Sequence, residues 1–138
     1  MSFIVTDASL WVARFVPQDK FHLAIRSWLD IHRTEGNQFL APAFLLPEVG
    51  GAISRRTGDP ILGKQILSSL ENLPGLRFVE MDNALLRMAA SLAVDLALRG
   101  ADSIYVAVAV RLSVPLATLD AQQRERSAGT VEVISFEI

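Results

Sequence analysis

The sequence predicts an α/β sandwich built on a mainly parallel sheet, and two features carry that prediction. Short apolar runs rich in β-branched and aromatic residues alternate with longer segments whose apolar residues recur at helical spacing. At the centre, LRGADSIYVAVAVRLSVPLATLDAQ from Leu98 to Gln122 holds one almost unbroken apolar run from Ile104 to Val110 and a second from Leu116 to Leu119. The first suits a helix packed on a sheet and the second a short strand buried on both faces. Asp120 then lies at a strand's carboxyl end, the edge where ligands bind in open α/β sheets.

Phe3-Ile4-Val5-Thr6 reads as a buried first strand, and Leu10, Trp11, Val12 and Phe15 belong to a short helix after Asp7-Ala8-Ser9. Asp7 at this turn reads equally as an N-cap and as a site residue. Beyond Pro17, the residues Phe21, Ile25, Trp28, Leu29 and Ile31 form the apolar stripe of a second helix running to about Arg33. His22 and His32 on that helix lack the i, i+4 spacing of a helical zinc pair and read as surface residues.

Phe39-Leu40-Ala41 reads as a second strand closed by Pro42, followed by a helix from Ala43 to about Arg56 with Phe44, Leu45, Val49, Ala52 and Ile53 apolar. Glu48 stands inside this pattern, awkward for a solvated face, and is a site candidate. The Gly50-Gly51 pair lowers helix propensity and suits the close approach of another backbone. Asp59-Pro60 opens a fourth helix as cap and first-turn proline, with Ile61, Leu62, Ile66, Leu67 and Leu70 as its stripe.

Leu76 to Glu80 reads as the third strand, and Asp82 caps a long helix through Leu98 with Leu85, Leu86, Ala89, Leu92, Ala93 and Leu96 facing inward. Asp95 falls on the polar stripe of that helix with Arg87, Ser91 and Arg99, the last in reach at i+4, so it is set aside as a site. Asp102 heads the most apolar helix of the chain, where cap and site readings both stand. After Asp120 the polar AQQRERSAG segment breaks the pattern, and Val131 to Phe136 alternates apolar with polar as a last, edge strand.

The 138 residues suit one domain, 1–138, able to bury roughly two thirds of its unfolded surface. With 51% hydrophobic residues and a mean hydropathy of +0.34, the chain predicts an apolar partner surface, and a homodimer is expected. No apolar stretch reaches the roughly 20 residues of a membrane span, and Met1-Ser2-Phe3-Ile4 lacks a basic start, so no membrane role and a cytoplasmic location are expected. The absence of cysteine excludes disulfides, thiolate metal sites and cysteine nucleophiles. A net charge of −2 gives no global nucleic-acid field, although 11 of the 13 basic residues are Arg, which suits phosphate contacts.

Four of the 15 acidic residues fall at strand ends, helix starts or inside an apolar helix: Asp7, Glu48, Asp102 and Asp120. In a right-handed parallel sheet these positions share one rim, so four carboxylates converge. Such a cluster repels itself unless protonated or holding a cation, and oxygen-only ligands select Mg²⁺ or Mn²⁺. The chemistry this supports is attack of a metal-activated water on a phosphodiester.

Val5-Thr6-Asp7-Ala8-Ser9, Pro47-Glu48-Val49, the run from Arg99 to Ala107 and Leu116-Ala117-Thr118-Leu119-Asp120 together resemble the PIN-domain ribonucleases, and among them the VapC-type toxins of bacterial toxin-antitoxin pairs. The resemblance covers nearly the whole chain. It implies a five-stranded parallel sheet in order 3-2-1-4-5 flanked by helices, and an acidic quartet of Asp7, Glu48, Asp102 and Asp120 holding Mg²⁺ or Mn²⁺. It also implies Thr118 as an accessory hydroxyl, RNA as substrate and a small antitoxin as inhibitor. This chain departs from many relatives in placing Ala121-Gln122-Gln123 where they carry a basic or aromatic residue after the last acid. Arg14, Arg55, Arg56, Arg124 and Arg126 are candidates for phosphate contact or antitoxin pairing, as well as for plain surface charge.

Two other classes compete. A PIN-like module serving assembly without turnover would keep the fold, although intact acids argue against it. A receiver-type phosphoacceptor domain would want adjacent acids near the first strand and a late lysine, whereas Asp7 has no acidic neighbour and the only lysines are Lys20 and Lys64.

Overall fold

The computed structural model describes residues 2–136. Its elements run β1 (Phe3–Thr6), α1 (Ala8–Phe15), α2 (His22–Thr34), β2 (Gln38–Pro42), α3 (Leu45–Thr57), α4 (Pro60–Glu71), β3 (Leu76–Val79), α5 (Asn83–Leu96), α6 (Gly100–Leu112), β4 (Leu116–Ala117), α7 (Ala121–Ser127) and β5 (Val133–Ile134). The strands form one sheet in order β3-β2-β1-β4-β5, with every neighbouring pair parallel, as expected. In this register Val5 stands between Leu40 of β2 and Leu116 of β4. With the right-handed crossovers that parallel connections adopt, this strand order puts α1 to α4 on one face and α5 and α6 on the other, giving three layers.

Burial explains the composition of each layer. Val5, Phe39, Ala41, Leu116 and Ala117 are fully enclosed because both sheet faces are covered. In α6 every residue from Ser103 to Ala109 is buried, so this helix shows no polar stripe. It packs on β1, β2 and β4 and also against α5. On the other face, α3 and α4 form a close pair, because Gly50 leaves room for the Leu67 side chain, which a Cβ would meet at 3.2 Å. Asp59 and Asp82 cap their helices through Leu62 N at 3.0 Å and Leu85 N at 2.7 Å. Among the described residues no helix is long and apolar enough to cross a membrane.

Several local expectations are corrected. Residues 121–127 fold as α7 rather than as a break, held by buried Gln123 and Ser127 on an otherwise polar helix. β4 stops at Ala117, so Thr118 and Leu119 lie beyond the strand. Ile31, Ile61 and Leu86, placed on apolar stripes, are exposed at 53%, 71% and 41%. His22 and His32 are half-buried rather than surface residues: His22 Nδ1 donates to the Ala13 carbonyl, and His32 accepts from Asn37 while lying against Trp28. Asp95 is exposed as expected, but Arg99 does not serve it, since its guanidinium turns to Asp102 and Asp120.

Candidate active site

Asp7 follows β1 directly and caps α1, accepting from Ser9 N at 3.0 Å. The same carboxylate takes the Ser9 hydroxyl on Oδ1 and the Thr118 hydroxyl on Oδ2, each at 2.5 Å. The cap and site readings of Asp7 are therefore compatible, because capping uses one oxygen of a group that also faces a cleft. Ser9 Oγ in turn accepts from Leu119 N at 2.9 Å, tying the end of β1 to the chain beyond β4. Burial pushes the Asp7 carboxyl up to about 6, with the Ser9 and Thr118 bonds opposing that rise.

Glu48 lies in the first turn of α3 and is half-buried. The Tyr105 hydroxyl, from buried α6, donates to Glu48 Oε1 at 2.5 Å. Burial pushes the Glu48 carboxyl up, the Tyr105 bond pulls it down, and Asp102 adds to the rise. The same surroundings push the Tyr105 phenol well above its ordinary value, burial first and Glu48 next.

Asp102 sits in the first turn of α6 without capping it; Arg99 is the N-cap residue, and its carbonyl receives Ser103 N at 3.0 Å. Asp120 caps α7 through Gln123 N at 3.0 Å. Arg99 joins these two acids, with Nε 2.9 Å from Asp102 Oδ2 and Nη2 2.5 Å from Asp120 Oδ2. Burial pushes the Asp102 carboxyl up, while Arg99 pulls it down and Asp120 raises it again. Thr118 Oγ1 accepts from Asp120 N at 3.0 Å, so this one hydroxyl touches both Asp7 and the backbone of Asp120.

Asp7, Glu48, Asp102 and Asp120 all line one cleft of about 130 Å³ at the carboxyl end of the sheet, together with Ser9, Arg99 and Tyr105. The donor set is oxygen-only and self-repelling, which fits a hard divalent cation. The arrangement is not a ready cage, since among the described residues no group of three or more acidic or histidine side chains is placed to hold a metal ion. Arg99 stands at two of the four carboxylates instead. Neither Lys20 nor Lys64 lines this cleft, so the lysine a receiver-type site would want is missing from it.

A larger cleft of about 360 Å³ shares Ala8, Ser9, Glu48 and Asp120 with the acidic one and carries Arg55 and Arg56 on its wall. Arg56 is engaged by Asp19 at 2.8 Å. Arg14 and Arg124 line neither cleft, and the Arg14 guanidinium lies 5.5 Å from the Phe15 ring centre. Arg126 donates to the Ala97 carbonyl that ends α5, a structural use. The sequence reading assigns no site role to Ser9, Arg99 or Tyr105. Tyr105 alone carried a usable signal, because the single tyrosine of the chain inside an aliphatic helix needs a partner for its hydroxyl.

A parallel sheet with carboxylates gathered at its strand ends defines an α/β protein with an acidic site. The sequence model of the PIN domain matches residues 4–128, and the chain belongs to that family. No curated protein matches it by sequence. Among solved structures it is similar to VapC20 of Mycobacterium tuberculosis, a sarcin-ricin loop cleaving toxin, with 19% identity over 93% of this chain and 95% of that one and a TM-score of 0.74. VapBC2 from Rickettsia felis, bound to a DNA fragment from their promoter, gives 12% identity over 99% and 100% and a TM-score of 0.73. FitAcB from Neisseria gonorrhoeae gives 20% identity over 96% of each chain and a TM-score of 0.68.

Proposed function

We propose that this chain is a Mg²⁺- or Mn²⁺-dependent endoribonuclease and the toxin of a type II toxin-antitoxin pair, inhibited by a small antitoxin and active in the cytoplasm as a homodimer. The observation that carries the reading is the convergence of Asp7, Glu48, Asp102 and Asp120, from four separate segments, on one cleft. Membership of the PIN domain family supports the nuclease class, and the fold shared with VapC20 and FitAcB supports the toxin setting.

In this reading the four carboxylates would hold the cation, whose chemistry when bound is to stabilise charge on the attacking or leaving oxygen of a phosphodiester. Ser9 and Thr118 orient Asp7 from both sides. Tyr105 occupies one oxygen of Glu48 and so fixes its carboxylate, which leaves Oε2 free to face the cation. Arg55 on the adjoining wall, and Arg56 on release from Asp19, would meet the phosphates of a bound strand.

Purified chain incubated with RNA should cleave it in Mn²⁺ and stop on chelation, and Asp120→Asn should abolish cleavage. Expression alone should arrest growth, and co-expression of a neighbouring small protein should restore it. Metal-independent RNA binding without cleavage would instead establish a non-catalytic module.

A further inference from the structure

The acidic cleft contains its own cation. Among the described residues Arg99 is the one basic side chain on its wall, and it spans Asp102 and Asp120 with two different nitrogens of the guanidinium. Asp120 then has both oxygens taken, Oδ2 by Arg99 and Oδ1 by Gln123 N. Both acids are open to solvent, with side chains 16% and 28% exposed, whereas Asp7 on the same cleft is buried. The side chain of Arg99 is itself 65% exposed.

That combination describes a bridge that is present yet easily exchanged. Exposed ion pairs contribute little, because water competes for both partners and the long side chain loses freedom in holding them. A divalent cation held by several carboxylates at once outcompetes a single charge on the same oxygens. The backbone of Arg99 is fixed by its carbonyl bond to Ser103 N, so the side chain can leave while the start of α6 stays in place.

We propose that Arg99 is a built-in counter-ion of the acidic cleft, which a divalent cation must displace from Asp102 and Asp120 before it can be held. This rests on the metal-dependent reading given above. It follows that Arg99 lowers the affinity of the chain for metal, and that removing it tightens metal binding while the helix start persists.

The test is calorimetric titration of Mn²⁺ into chelator-treated full-length chain, as wild type and as Arg99→Gln, Arg99→Lys and Arg87→Gln. Arg87 is exposed on α5 and removes the same formal charge away from the cleft. Arg99→Gln should bind Mn²⁺ roughly 3- to 10-fold more tightly, since displacing two exposed pairs no longer opposes binding. Arg99→Lys should show a smaller gain, because a point-charge ammonium does not reproduce the fork that spans two carboxylates. Arg87→Gln should match the wild type.

Equal or weaker binding by Arg99→Gln, with Mn²⁺ still taken up by the wild type, overturns the counter-ion role and leaves the metal reading standing. An equal gain in Arg87→Gln also overturns it, reducing the effect to net charge. If no variant and no wild type takes up Mn²⁺, both readings fall together. Should Arg99→Gln not fold, Arg99→Lys decides: a gain supports the role and its absence overturns it.

Discussion

The hydroxyl of Tyr105 donates to Glu48 Oε1 at 2.5 Å, so the buried helix α6 directly positions the glutamate of α3 at the cleft. Tyr105→Phe removes that donor while keeping the ring that fills the core. The loss of one hydrogen bond to a carboxylate should cost about 1–3 kcal/mol of stability, read by chemical denaturation. Because the bond holds the Glu48 carboxyl down, its loss lets that carboxyl rise further. If Glu48 must be ionised for cleavage, the acidic limb of the cleavage profile should move to higher pH, and cleavage on the plateau should fall roughly 10-fold, as for loss of a group that orients a metal ligand. An unmoved limb would remove Glu48 from that role.

Asp7 makes stability depend on pH in a definite direction. Burial raises its carboxyl from 3.8 to about 6, so between those values the folded chain holds a proton that the unfolded chain releases. The contribution of Asp7 is therefore most favourable below the unfolded value and is lost as pH rises through about 6. Asp7→Asn keeps the capping oxygen, and Thr118 can turn its proton to Gln123 Oε1, 3.1 Å away. In chelator at about pH 7.5 the variant should be more stable than wild type by about 1–3 kcal/mol, converging with it below about pH 4. A gap independent of pH would show that Asp7 is not buried as described.

The strand-helix alternation and the four acids were legible because burial writes itself into composition: a strand covered on both faces must be apolar, and a carboxylate beside such elements stands out. Contacts between side chains of separate elements were not legible. Arg99 follows the polar stripe of α5 in sequence, yet the chain turns at Ala97, with φ of 54°, and α6 starts along a new direction. The guanidinium thus leaves Asp95 and reaches Asp102 and Asp120. Helix α7 was hidden for the opposite reason, since a short helix anchored by polar groups has no apolar period to read.

Gln123 is that anchor, 1% exposed, with Oε1 near Thr118 Oγ1 at 3.1 Å and Nε2 reaching the Asp102 carbonyl at 3.3 Å. Gln123→Ala removes the amide that ties α7 to the Asp102 carbonyl and leaves the space of a fully buried side chain unfilled. It should lower stability by about 1–3 kcal/mol, or roughly 3–5 °C of melting temperature per kcal/mol in a chain of this length. Differential scanning calorimetry reads this directly, and an unchanged melting temperature would mean that α7 is held by other contacts.

Asp102 and Asp95 separate the site from its surroundings most sharply, because both are helix aspartates and only Asp102 lines the cleft. Asp102→Asn removes one of four mutually repelling charges and leaves the Arg99 carbonyl capping α6. Without metal, stability should be unchanged or higher, since a carboxylate pushed up by burial no longer has to ionise. With Mg²⁺ or Mn²⁺, wild type should melt at a higher temperature because only the folded state binds the ion, and the variant should lose most of that rise. RNA cleavage should fall by about 100-fold or more, on the scale of losing a group that stabilises transition-state charge. Asp95→Asn should leave metal response and cleavage within about two-fold of wild type, as expected of an exposed helix-surface change. Loss of cleavage in Asp95→Asn but not in Asp102→Asn would place the chemistry outside the acidic cleft.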